Sequence, residues 1–217
     1  LLFAAVPLIS AQEFIPLYPE GKMPNSKGMN LKEEIRDERI YQVGTPGIHA
    51  YFPAAKDNKG VAVLIIPGGG YVRIAYQNAR TAVAQWLNSL GISAFALDYR
   101  LPTSSDLQRK ELAPLQDAER AMRIIRANAK KWNIDPDKIG VMGTSAGGHA
   151  ASFIGTTSED LVRIGDEVDN FSFTPNFMIL ASPVITMGEF AHAGSRKYLL
   201  GENPSRELID RYSTERQ

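Results

Sequence analysis

The chain contains no cysteine, which excludes disulfides, thiol nucleophiles and cysteine-ligated metal. Histidine is scarce: only His49, His149 and His192 are available to a reaction that needs an imidazole base. Charge of one sign is also missing. The 24 basic and 24 acidic residues cancel, so no global field favours nucleic acid or an anionic membrane. No apolar run approaches the ~20 residues of a membrane-spanning helix, and the chain shows no internal repeat and no low-complexity tract. What remains is 44% hydrophobic and 22% charged over 217 residues, enough for one domain with a sizeable core. No nucleic-acid partner and no membrane span are expected, and no oligomeric state can be read from the sequence.

The first residues, "LLFAAVPLISAQ", stand apart. A short apolar run followed by Ser10 and Ala11 reads as the hydrophobic region and cleavage site of a secretory signal. Residues 1–11 are thus expected to be part of a signal peptide, with Gln12 as the mature N-terminus and 12–217 as the folded domain. No cysteine follows the run, which argues against a lipoprotein anchor, and export is compatible with a chain that has no disulfide.

Beyond this segment, hydrophobic periodicity predicts alternating strands and helices. Residues 13–32 are rich in Pro and Gly and read as an extended leader. Residues 39–54 give a strand, a turn at 44–47 and a second strand. The continuous β-branched runs "GVAVLIIPGGG" and "ISAFALDYR" read as strands buried on both faces, as does "FMILASPV"; "KIGVMG" is a shorter strand. Helices are expected over 78–90, over 111–132 and from Ala146, with shorter pieces over 196–200 and 205–212. The helix over 111–132 carries Leu115, Ala118, Met122, Ile125 and Ala129 along one stripe. The implied fold class is α/β, with a mostly parallel central sheet and helices on both faces. Sites in such sheets lie at the carboxyl ends of the strands. Three unusual stretches fall at such ends: 67–71, 98–101 and 143–147.

In "GVMGTSAGGHA" the serine, Ser145, sits between a strand and a helix. This is the context of a nucleophile elbow, whose small neighbours let strand and helix approach and lift the hydroxyl clear of the sheet. The amide of Ala146, at the helix N-terminus, is placed to meet a developing oxyanion. A single G-x-S-x-G is a weak signal and could be an ordinary glycine-rich turn. A second cluster, "IIPGGGY", strengthens it, because this architecture places the other oxyanion donors after an earlier strand. That cluster lacks the Lys-Ser/Thr of a phosphate loop and the spacing of a dinucleotide fingerprint.

On "VLIIPGGGY", "WLNSLGISAFALDYRLP", the long stretch ending in "GVMGTSAGGHAA", and "SPVITMGEFAHAGSRKYLLGENPS", the chain resembles the α/β-hydrolases. Within them it is similar to the exported bacterial carbohydrate-esterase-like group of acetyl-xylan and feruloyl esterases, the BD-FAE-like proteins. The resemblance implies a serine ester hydrolase without metal or organic cofactor, acting on acylated carbohydrate or small esters. It implies Ser145 as nucleophile and the amides of Gly69, Gly70 and Ala146 as oxyanion hole. One departure is Pro67, where "HGGG" esterases carry His. Tyr71, Tyr99 and Arg100, with Tyr76, lie near strand ends, where they serve either as substrate contacts or as packing. A prolyl-oligopeptidase-like peptidase and a non-catalytic carbohydrate-binding relative remain alternative readings.

The base is the difficulty. In this superfamily the order is Ser, then Asp or Glu, then His. His192 comes too early for that role. His149, at i+4 from Ser145, reads as a core histidine, and His49 precedes the serine. Asp166, Glu167 and Asp169 read as solvated loop, and Asp117 with Arg120 as a helix-face salt bridge. The expectation is that the domain is C-terminally incomplete, with acid and base on two further βα units of roughly 60–80 residues beyond Gln217.

Overall fold

The computed structural model describes residues 13–217, apart from the side chains of residues 78 and 79; the reading of 1–11 as a signal lies outside the described residues. The central sheet has six strands: β1 (Glu13–Pro16), β4 (Gly47–Tyr51), β5 (Val61–Ile66), β6 (Ile92–Asp98), β7 (Ile139–Thr144) and β8 (Met178–Ala181). Their order is β1-β4-β6-β5-β7-β8, with β6, β5, β7 and β8 mutually parallel. β4 runs antiparallel to β6 and β1 antiparallel to β4. β2 (Glu34–Arg36) and β3 (Arg39–Gln42) form a separate hairpin. Its two linking residues, Asp37 and Glu38, both take positive φ, as a tight hairpin turn demands.

The helices follow from the apolar spacing. Short α1 (Tyr76–Asn78) runs through a π turn (Ala79–Val83) into α2 (Ala84–Ser89). The others are α3 (Ala113–Ala127), α4 (Ala146–Thr156), α5 (Ala193–Leu200) and α6 (Arg206–Arg211). Alternation along β5 divides the core. Val63 and Ile65 face α2 together with Ala94 and Ala96, whereas Ala62, Leu64 and Ile66 join Phe95, Leu97 and the apolar stripe of α3. Each central strand is thereby covered on both faces, which is why these strands read as unbroken apolar runs. Among the described residues no helix is long and apolar enough to cross a membrane.

Local structure adds to several expectations. The extended leader opens with a strand: Glu13–Pro16 pairs with β4 at the sheet edge, and Pro16 is tolerated because it stands at the strand's end. The two strands over 39–54 both form, β3 pairing with β2 and β4 with β1 and β6. β8 is not buried on both faces. Met178 and Ile179 are each 39% exposed, because β7 is its only strand partner among the described residues.

The charges of α3 also lie differently. Asp117 does not pair with Arg120: it accepts from Arg100 (2.7 Å) and from the Tyr18 hydroxyl (2.8 Å). Arg120 reaches Asp166 and, at 3.2 Å, Asp169. The loop before β8 is therefore only partly solvated. Glu167 is exposed, but Asp169 is buried and accepts the amides of Ile164 (2.8 Å) and Gly165 (2.7 Å). Buried carboxylates need such partners, and a loop that closes over a charged helix supplies them.

Candidate active site

Parallel pairing places the two glycine-rich loops side by side. Ile66 of β5 stands opposite Gly143 of β7, so the chain leaves both strands at the same edge. Gly147 lets them come together: a Cβ there would overlap the carbonyl oxygens of Ile66 and Pro67. Thr144 pairs with Ala181 of β8, which brings Ser182 to the same edge from the other side.

Between β7 and α4, Ser145 takes φ +53° and ψ −121°, a backbone conformation that side-chain-bearing residues enter only when the surroundings impose it. The imposing contacts are backbone bonds. The Ser145 amide donates to Ala181 O (3.3 Å), and its carbonyl accepts from the amides of His149 (3.2 Å) and Val184 (2.9 Å). Three elements thus grip the main chain of one residue and leave its side chain outside the ladder. Ala146 opens α4, where the first amides have no intrahelical acceptor.

The loop after β5 is equally constrained. Gly69 sits at φ +150°, Gly70 at +66° and Tyr71 at +64°. A side chain at Gly69 would run into the carbonyl of Arg73, so that position requires glycine on both counts. The carbonyls of Gly68 and Gly69 accept from the amides of Ala75, Val72 and Arg73, while the amides of Gly69 and Gly70 have no partner among the described residues.

Ser145 opens on two cavities. The smaller, about 250 Å³, lies between Gly68 and Gly69 on one side and Ile65, Val83 and Met142 on the other. The larger, about 440 Å³, is walled by Ser182, Thr186, Phe190 and His192. Ser182, Thr186 and Phe190 were not anticipated, and the sequence offered His192 only as a candidate base. The signal was available in the rule that sites gather at carboxyl strand ends, because the segment 182–192 follows β8 just as 143–147 follows β7.

None of the three histidines is arranged as a base for Ser145. His149 is fully buried: its Nδ1 accepts from the Tyr71 hydroxyl (2.7 Å) and its Nε2 donates to Tyr212 O (2.8 Å). Both nitrogens are occupied, and burial pushes its pKa down to about 4. The core reading of this residue agrees with the structure. His192 caps α5, with Nδ1 accepting the Ser195 amide (3.2 Å) beside the Ser195 hydroxyl (2.9 Å). His49 meets Asp98 (2.9 Å), which Arg80 also contacts, and its ring lies 4.9 Å from that of Phe14. Neither His49 nor Asp98 lines the cavities at Ser145.

The side chains of Tyr71, Tyr99 and Arg100 turn inward, which favours packing over substrate contact of the two roles that the sequence leaves open. Tyr71 and Tyr99 are fully buried and Arg100 nearly so. Tyr71 bonds His149, Tyr99 donates to Pro67 O (2.9 Å) and Arg100 is tied to Asp117. They support the site from behind, and short apolar spacing at a strand end could not distinguish that from facing it. Tyr76 is half-buried beneath the Arg80 guanidinium, 4.4 Å from its ring centre. Among the described residues no group of three or more His, Asp or Glu is placed to hold a metal ion.

A six-stranded, mostly parallel sheet with a strained serine between strand and helix, beside a glycine loop at the next strand's end, defines the α/β-hydrolase fold. The solved acetyl ester-xyloside bifunctional hydrolase of Caldicellulosiruptor lactoaceticus superposes with a TM-score of 0.79 at 38% identity, over 97% of this chain and 71% of that one. The chain belongs to the BD-FAE family, whose profile matches residues 48–188. An endo-1,4-beta-xylanase B of Butyrivibrio fibrisolvens is 34% identical over 100% of the chain and 35% of its own length. An acetylxylan esterase of Xylanibacter ruminicola is 39% identical over 72% of the chain and 30% of its own length. The chain thus spans about a third of the length of these curated relatives.

Proposed function

We propose that this protein is a serine ester hydrolase that removes acetyl or feruloyl groups from the sugars of plant polysaccharides, with Ser145 as nucleophile. The observation that carries this reading is the strained turn at Ser145, whose side chain opens on two cavities, one lined by Gly68 and Gly69, in a loop where the amides of Gly69 and Gly70 have no partner among the described residues. The names of the xylan-degrading relatives support the substrate class. In the first step Ser145 Oγ bonds to the acyl carbon and gives its proton to a base. The carbonyl oxygen takes the negative charge, and the amides of Gly69, Gly70 and Ala146 receive it. The bond from the acyl carbon to the sugar oxygen then breaks, and that oxygen leaves with the proton. Water then attacks the acyl-serine, one of its protons passes by way of the base to Ser145 Oγ as the acyl–Oγ bond breaks, and the free acid departs.

The base and its orienting acid come, in this reading, from outside residues 13–217. The occupied nitrogens of His149 and the capping role of His192 support that, as does the greater length of the solved relative. Export belongs to the same reading, supported by the signal-like composition of residues 1–11. The test is acetate release from acetylated xylo-oligosaccharides by the full-length protein and by its Ser145→Ala variant. The variant is expected to lose at least about 10³-fold in rate; a variant that keeps more than about a tenth of the rate would overturn the assignment.

A further inference from the structure

The glycine loop after β5 is fastened at three points, each to a different element. At its entry, Pro67 O accepts from the Tyr99 hydroxyl (2.9 Å) just beyond β6. At its exit, Ile74 exchanges backbone hydrogen bonds with Ile40 of β3 (2.8 and 3.0 Å). Between them, the Tyr71 hydroxyl meets His149 Nδ1 (2.7 Å) on α4. Among the described residues this is the one hydrogen bond between the loop and the helix that starts after Ser145. The other two hold the loop to elements that do not carry the serine.

The direction of the Tyr71 bond follows from the far side of the imidazole. Tyr212 O can only accept, so the hydrogen of the neutral ring sits on Nε2, 2.8 Å away. Nδ1 must then accept, and Tyr71 must donate. His149 is also tied to the nucleophile through its own backbone, because its amide donates to Ser145 O (3.2 Å). One residue thus holds Ser145 by its main chain and the glycine loop by its ring. Tyr212 is fixed in turn by its neighbours: the Thr214 amide donates to Ile185 O (3.1 Å), and Ser213 Oγ accepts the Met187 amide (3.0 Å). Tyr71, His149 and Tyr212 are all fully buried, so this chain of contacts is interior and owes nothing to what covers the cavities. A loop in this conformation needs such a tie. Gly69, Gly70 and Tyr71 take positive φ in succession, at +150°, +66° and +64°, and strain at a residue such as Tyr71 is of the same order as one buried hydrogen bond. If the bond is lost the loop can relax, and the nearest amides to move are those of Gly69 and Gly70. An oxyanion donor is effective only when it is already aimed at the place where charge develops.

We propose that Tyr71 and His149 are positioning residues for acyl transfer: their hydrogen bond sets the Gly69 and Gly70 amides against Ser145, so that it is felt in the transition state and not in substrate affinity. This rests on the ester-hydrolase reading. The experiment is steady-state hydrolysis of 4-nitrophenyl acetate by the full-length protein and its variants, at a temperature where circular dichroism shows each one folded. Removing an oxyanion donor outright costs about 10²–10³ in kcat and misaligning one costs less, so Tyr71→Phe is expected to lower kcat about tenfold with KM within about twofold. Tyr18→Phe deletes another buried hydroxyl, the one on Asp117, and is expected to keep kcat. His149→Gln should fall about as far as Tyr71→Phe, and the double variant no further than the slower single variant, because both remove one bond. The proposal is overturned if Tyr71→Phe keeps kcat within about twofold, if its loss lies in KM, if Tyr18→Phe loses as much, or if the double variant loses the product of the two single effects. A wild type without turnover, or a Ser145→Ala variant that keeps its rate, overturns the hydrolase reading and this proposal with it. An inactive Ser145→Ala beside an unimpaired Tyr71→Phe overturns this proposal alone.

Discussion

Tyr71 shows how one side chain stabilises a costly backbone. It follows the three glycines of the β5 loop, at φ +64°, where a bulky residue is strained by about 1–3 kcal/mol. Its hydroxyl, 2.7 Å from His149 Nδ1, ties the loop to the helix that begins at Ser145. Tyr71→Phe removes that hydroxyl and leaves a buried ring nitrogen unpaired. The variant should lose about 1–3 kcal/mol of stability, measured as a lower urea midpoint with unchanged slope. His149 gives a pH signature to the same strut. Burial holds its pKa near 4, against an unfolded value of 6.5. Below pH 6.5 the unfolded chain therefore binds the extra proton, and stability falls as pH drops towards 4, by about 3 kcal/mol in all. His149→Gln should flatten that slope in urea titrations between pH 7 and 4; an unchanged slope would show that the loss originates elsewhere. In the sequence, the turns at 67–71 and 143–147 were legible as strand ends because positive φ and close backbone approach demand small residues such as Gly69 and Gly147 there. The partners of Tyr71 and His149 were not, because a hydrogen bond spanning 78 residues leaves no local pattern.

At the scale of elements, α3 combines what periodicity reveals with what it hides. Its stripe of Leu115, Ala118, Met122 and Ile125 is buried as the spacing predicts. Its other face is buried too, with Asp117, Glu119, Arg120 and Arg123 all nearly inaccessible. A charged face usually means solvent, and here it means a covering loop with its own charges: Arg123 meets Asp160 at 2.8 Å, and the Leu161 amide donates to Glu119 at 3.0 Å. Burial pushes the Glu119 pKa up to about 8, against the opposing pull of the Leu161 amide and Arg123. Since the unfolded value is near 4.5, the unfolded chain releases this proton first. The stability Glu119 contributes is full below pH 4.5 and is lost as pH rises through 8. Glu119→Gln should remove the decline between pH 6.5 and 8 in thermal melts, and persistence of that decline would assign it to another group. Asp117 makes a second test. Asp117→Ala strands a buried Arg100 and should cost about 3–5 kcal/mol, read from the urea midpoint.

Across the whole molecule, the site results from sheet order. β5 and β7 are 72 residues or more apart along the chain but neighbours in space, with Val63 opposite Gly140 and Ile66 opposite Gly143. Their loops meet at one edge because parallel strands end together, and β8 adds the wall of the larger cavity at that same edge. The alternation of strands and helices and the two glycine loops could be read from apolar runs and their terminators. Pairing could not: the recruitment of Glu13–Pro16 to β4 and the half-open faces of β8 depend on neighbours that no window of sequence contains.

If Ser145 is the nucleophile, it forms a covalent bond to the acyl group. Quenching the full-length protein with acid during turnover of 4-nitrophenyl acetate, followed by peptide mass spectrometry, should find one acetyl group on the peptide containing Ser145 and none in Ser145→Ala. Acetate release with no adduct, or with an adduct on another residue that survives in Ser145→Ala, would show that Ser145 is not the nucleophile.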